Sequence, residues 1–144
     1  KEPESMAVAS GGRLFVANEK SHRIEVLDQK TGRRLGSIGE GVFQADVEGM
    51  QVRGKYLYAI DEGFDDAVEG RTAQPRSRVV IFDISDPQRA QFIGSFGSYG
   101  SGGGQFKSPD GLAISPDGKR LAVADQGNRR VIVFDLEALR QVIE

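Results

Sequence analysis

The chain has 144 residues, with 19 Lys plus Arg against 21 Asp plus Glu and a formal net charge of −2. That is sequence for one compact domain, and it lacks the positive excess that a general nucleic-acid or polybasic membrane binder needs. It holds no cysteine and one histidine, which excludes disulfide scaffolds, thiolate metal sites, cysteine nucleophiles and multi-histidine metal centres. Apolar runs reach four to five residues, far short of a membrane span. The opening KEPESMAV shows no basic-then-apolar leader, so no signal peptide is expected in this sequence. Nineteen glycines against five prolines point to many tight turns.

In chain order, Pro3–Asp28 reads as a short apolar strand, a turn at Gly11-Gly12, a second strand, a polar loop and a third strand ending at Asp28. RLGSIG, Arg34–Gly39, follows as a fourth strand. Asp46–Gly63 repeats the first half around an Arg53-Gly54 turn and resumes at Ser77–Asp83, with FIGSFG, Phe92–Gly97, as its fourth strand. Asp61 to Asp83 covers 22 residues where Asn18 to Asp28 and Asp125 to Asp135 cover 10. The excess around EGFDDAVEGRTAQPRS, including the Arg71–Arg78 stretch, reads as a solvated surface insertion. Ser98–Phe106, SYGSGGGQF, reads as a flexible connector. Ser108–Asp135 gives the pattern a third time around a Pro116-Asp117-Gly118 turn. The closing ALRQVIE sits where the fourth strand belongs, and that position favours a strand over a helical turn or two.

Each unit opens on an acidic residue, a small residue and Met or Leu: Glu4-Ser5-Met6, Glu48-Gly49-Met50 and Asp110-Gly111-Leu112. Four antiparallel strands per unit of about 48 residues is the pattern of a β-propeller blade. The expectation is therefore an all-β chain: one partial propeller domain over 1–144, with three four-stranded antiparallel blades at about 3–39, 40–97 and 98–144. Propellers close with roughly four to eight blades, and three leave open sheet faces and edges. The chain then represents half of a six-bladed propeller with N-terminal blades missing, or closes by self-association. Phe82 and Phe134, at equivalent places, read as inter-blade core. Asp28, Asp83 and Asp135 read as turn formers on the far rim, and His22 as a solvated loop residue.

Phe96–Asp135 resembles an NHL repeat, through Gly102, Gly104, Phe106, Pro109, Gly111, Ala113, Ala124-Asp125, Asn128, Arg130 and Phe134-Asp135; Pro3–Gly39 matches more loosely. Gly41–Gly63 resembles the start of a blade in bacterial β-propeller phytases, with Asp46-Val47-Glu48-Gly49 before the inner strand and Asp61-Glu62 ending the next. RSRVVIFDISDPQRAQFIGSFG and the order of the units resemble the same group, in its C-terminal half. The resemblance implies a six-bladed propeller and a bacterial protein, secreted or periplasmic.

In an antiparallel hairpin the start of one strand and the end of the next share an edge. Glu4, Glu48 and Asp110 are thus expected innermost on one rim, with Asn18, Asp61 and Asp125 just outside and Asp46 and Glu62 beside the middle blade. Clustered carboxylates repel unless protonated, spread or neutralised by a cation, and hard oxygen ligands at this density suit Ca²⁺. Glu4, Asp46, Glu48, Asp61, Glu62, Asp110 and Asp125 are the candidate metal ligands. Lys20, Arg23, Arg78, Arg129 and Arg130 are candidate phosphate contacts. Phytase-like propellers hold several Ca²⁺ ions on rim carboxylates, so the resemblance implies Ca²⁺-dependent hydrolysis of phosphomonoesters such as inositol hexakisphosphate; no catalytic residue is assigned. Against this stands a reading in which the rim acids only brace turns, in a non-catalytic NHL-type propeller that binds a protein or glycan partner. No nucleic-acid partner is expected.

Overall fold

The structure is a computed structural model that describes residues 2–63 and 76–143. Most of the expected insertion, and Arg71 with it, lies outside the described residues. The first sheet runs in the order β1 (Pro3–Ala9), β2 (Arg13–Asn18), β3 (Ile24–Asp28), β4 (Arg34–Ile38). The second runs β5 (Val47–Arg53), β6 (Tyr56–Asp61), β7 (Arg78–Asp83), β8 (Gln91–Phe96). After a short parallel pair, β9 (Ser98–Tyr99) with β10 (Gln105–Phe106), a third sheet runs β11 (Pro109–Ile114), β12 (Arg120–Asp125), β13 (Arg130–Asp135). Every neighbouring pair inside the three larger sheets is antiparallel. The chain is all-β, in propeller blades. The first strands converge: β1 lies beside β5, and β5 beside β11.

Side-chain alternation explains the stacking. Side chains along a strand point alternately to opposite faces. On β7, Val80 and Phe82 enter a core shared with Phe15, Ile24 and Val26 of the first sheet. Val79 and Ile81 enter a second core with Leu121 and Val123 of the third. The middle sheet is covered on both faces, which is why YLYAI and VVIF are near-continuous apolar runs. Each fully buried large side chain contributes about 1.5–3 kcal/mol of transfer free energy. Phe82 is buried at the first boundary, and Phe134 packs against the second core, edge-on to Phe96 and Phe106.

Two expectations change. The fourth place in the third sheet holds a helix, α1 (Leu136–Ile143), and not a strand. Its residues Leu136 to Gln141 are strong helix formers. The Asp135 carboxylate accepts the Ala138 N–H at 3.0 Å, and Leu136 is buried while Glu137 and Ala138 are exposed. Likewise 98–106 is a hydrogen-bonded loop and not a free linker. The Gly100 N–H donates to Phe106 O at 3.0 Å and the Gly102 N–H to Gln105 Oε1 at 2.9 Å. Phe106 is fully buried. Gly97 at φ 96° and Gly39 at φ 82° end the fourth strands, and a Cβ on either would strike the ring of Phe106 or Phe43.

Candidate functional site

The three acidic residues that open the units sit at one kind of irregularity. Register shifts fall between Pro3 and Ser5, between Val47 and Met50, and between Pro109 and Gly111. A bulge bends its strand and re-aims the side chain at the extra residue. Glu4, Glu48 and Asp110 therefore occupy a repeated bulge at the start of the converging strands. Gly49 lets them converge: a Cβ there would lie 3.3 Å from the Gly111 Cα and 3.3 Å from Ile60 Cδ1.

Glu4, Asp46 and Glu48 each offer a carboxylate oxygen, and these oxygens lie within 4.8 Å of one another. Burial, then the charges of Glu4, Glu62, Asp46 and Asp110, pushes the Glu48 carboxyl up to about 7. Burial and then Asp46 also raise Glu4. Asp110 and Glu62 act on Glu48 through their charge, outside the close trio. Asp46 is anchored by the Lys20 backbone N–H at 2.7 Å, and His22 Nε2 lies 3.8 Å from it. His22 thus faces the mouth, in a left-handed backbone conformation at φ 50°.

Asp61 and Asp125 are placed differently. Both are fully buried. The Asp61 carboxylate accepts the N–H groups of Gln44 and Ala45 at 3.1 Å and Arg78 Nε at 3.2 Å. Asp125 accepts the Lys107 N–H at 2.7 Å, Asn128 Nδ2 at 2.8 Å and Arg130 Nε at 2.9 Å. Burial opposes ionisation of Asp125, but those donors together outweigh it and hold its carboxyl below the usual range. Arg130 also donates to the carbonyls of Ser101, Gly102 and Gln105, and Arg78 to that of Val42. Each pair clasps the connector leading into its own sheet.

The basic residues are likewise engaged. Arg78 and Arg130 belong to these clasps, Arg23 pairs with Glu25 and Glu40, and Lys20 Nζ lies 3.0 Å from Glu19. Arg129 is exposed at a left-handed φ of 54°. Asn18 replaces the buried aspartate in the first sheet, where Arg23 turns to the two glutamates instead. Asp28 accepts the Lys30 and Thr31 N–H groups and Asp83 that of Ser85, on the far side of the sheets. A cleft of about 430 Å³ among Ala9, Gly11, Arg13, Lys55 and Ser85 opens at the turns, and none of the candidate residues lines it. The sequence reading missed the bulge and the Asp–Arg clasps. The clasps have a signal: Asp61 faces Arg78, and Asp125 faces Arg130, across adjacent strands.

No helix among the described residues is long and apolar enough to cross a membrane. No protein-family model matches the chain, and no curated protein sequence does. Solved structures do match. A hydrazine synthase chain of Kuenenia stuttgartiensis is 24% identical with a TM-score of 0.66, over 94% of this chain and 33% of that one. A chain of a nidogen/laminin complex is 19% identical with a TM-score of 0.62, over 94% and 44%. A candidate 6-phosphogluconolactonase of Bacteroides fragilis is 17% identical with a TM-score of 0.62, over 88% and 32%. The chain spans less than half the length of each. These neighbours are propeller-like folds, and this chain carries three consecutive sheets of that architecture.

Proposed function

We propose that these blades form part of a propeller whose acidic mouth binds Ca²⁺, serving hydrolysis of phosphomonoesters of the phytase-like kind outside the cytoplasm. The carrying observation is the trio Glu4, Asp46 and Glu48, with carboxylate oxygens within 4.8 Å of one another. The donor set fits a hard cation: all oxygen, anionic, and so placed that burial and then neighbouring carboxylates push Glu48 up to about 7. Bound Ca²⁺ would neutralise phosphate charge and polarise a phosphoryl oxygen. The chain's own part is positional. The bulges aim Glu4 and Glu48 into the mouth, the Lys20 N–H fixes Asp46, and the Asp61–Arg78 clasp holds the connector that carries Asp46. Asp61 and Asp125 each act as a brace on the connector into their own sheet, which takes them out of the first choice of ligands.

A second reading, a binding propeller without chemistry, is favoured by the basic residues. Arg23, Arg78 and Arg130 already pair with carboxylates, and of the phosphate candidates Lys20 and Arg129 are the exposed ones outside those pairs. Calorimetric titration with Ca²⁺ on the wild type and Glu48→Ala, with phosphate release from inositol hexakisphosphate measured in parallel, separates the two. The hydrolase reading expects heat and release that both fall at least tenfold in the variant. Calcium binding without release supports the binding module, and no calcium heat removes the metal from both.

A further inference from the structure

The far rim of the sheets, opposite the mouth, is closed by the chain's own side chains at one junction and left open at the other. Between the second and third sheets, Arg53 at the end of β5 donates from Nη2 to Pro116 O at 2.8 Å. Arg140 of α1 lies over the Tyr56 ring, 5.5 Å from its centroid, and donates to Gly118 O at 3.4 Å. Between the first and second sheets the corresponding positions carry other residues. Ala9 ends β1 where Arg53 ends β5, and Arg13 opens β2 where Tyr56 opens β6. With the small residues Ala9, Ser10 and Gly11 on its first side, this junction holds the cleft of about 430 Å³.

The cleft combines cationic and apolar walls. Arg13 and Lys55 line it with the hydroxyl residues Ser10 and Ser85, and Ala9 and Ile84 bring the edge of the first core to its surface. Lys55 Nζ lies 3.5 Å from Asp83 Oδ2, while Asp83 Oδ1 accepts the N–H and the hydroxyl of Ser85. Arg13 faces Asp28 across the strands, but Asp28 Oδ1 accepts the Lys30 and Thr31 N–H groups. Among the described residues no hydrogen bond or ion pair holds the Arg13 guanidinium. A second hollow of about 230 Å³, among Val26, Leu35 and Gln88, lies on its other flank, so a half-buried Arg13 stands between two open spaces. A guanidinium presents a planar fork of donors that matches the edge of a carboxylate or phosphate, and a partly buried donor without an acceptor is costly. We propose that this cleft binds a small organic anion, its carboxylate or phosphate group held between Arg13 and Lys55 and its carbon skeleton laid on Ala9 and Ile84. The volume suits a small molecule. The site shares no residue with the acidic mouth and needs no metal, so it stands whatever that mouth binds.

Amide chemical shifts of the isotope-labelled chain test this, with succinate and, separately, methyl phosphate titrated at fixed ionic strength and without Ca²⁺. Saturable shifts are expected at Gly11, Gly54 and Ser85 and not at Glu48, and the neutral succinamide should give none. The tighter of the two anions tells a carboxylate ligand from a phosphate one. Arg13→Gln and, separately, Lys55→Gln are each expected to weaken binding about tenfold. Ala9→Arg, which puts at this junction the side chain that fills the other, should abolish it. Shifts with neither anion, shifts confined to the mouth, an equal response to succinamide, or wild-type affinity in a folded glutamine variant overturn the proposal. The same spectra report whether each variant folds, and should none do so, the wild-type titrations still decide.

Discussion

Glu48 makes the mouth sensitive to pH. Its carboxyl is raised from 4.5 to about 7 by burial and then by Glu4, Glu62, Asp46 and Asp110. Below pH 4.5 it is protonated folded or unfolded and contributes nothing to pH dependence. Between 4.5 and 7 the folded chain keeps a proton that the unfolded chain releases, so stability falls as pH rises, and the penalty is complete above 7. Glu48→Gln is expected to raise stability at pH 8 by about 1 kcal/mol, less than the full shift would give because solvent reaches the group. At pH 4 it should have no effect; urea denaturation at the two values checks this. Asp125 behaves oppositely, its contribution present above the ordinary aspartate range and lost as pH falls through its lowered value. Asp125→Ala strands a guanidinium and a connector N–H and should cost about 3 kcal/mol in the same assay. The recurrence of an acidic-small-apolar triplet makes Glu4, Glu48 and Asp110 legible in the sequence as a set. The bulge that aims them is not legible, since a one-residue register slip has no composition of its own.

Among the elements, the hairpins are legible because alternation and turn chemistry agree at Gly11-Gly12, Arg53-Gly54 and Pro116-Asp117-Gly118. The last element is not, because the repeat argues for a strand while local propensity and the Asp135 cap argue for a helix, and the helix leaves β13 as the edge of a three-stranded sheet. Leu136→Ala should cost about 2–4 kcal/mol through the cavity it leaves, with loss of the helical component of the circular dichroism. The glycines of 98–106 read as slack in composition, yet that loop is held by Phe106 from within and by Arg130 from outside. Gly97→Ala combines a left-handed φ with a collision against the Phe106 ring. It is expected to lower the thermal midpoint by several degrees, for about 1–3 kcal/mol. A Ser101→Ala control, which leaves both features intact, should leave the midpoint nearly unchanged.

For the whole molecule, the propeller architecture is legible because one pattern recurs three times, and a repeat constrains topology more tightly than any single strand does. What the outer sheets pack against is not, because a covered and an uncovered boundary are written in the same residues: Met6 reads like Met50, and Val133 like Ile81. The Asp–Arg clasps carry one more consequence. Because Asp61 and Asp125 each fasten the loop that leads into their own sheet, a blade travels with its own anchoring hardware. A gene segment cut after Gly39 and again after Gly97 would be a self-sufficient cassette, and duplicating it in frame should yield a larger wheel, deleting it a smaller one, by simple copy count.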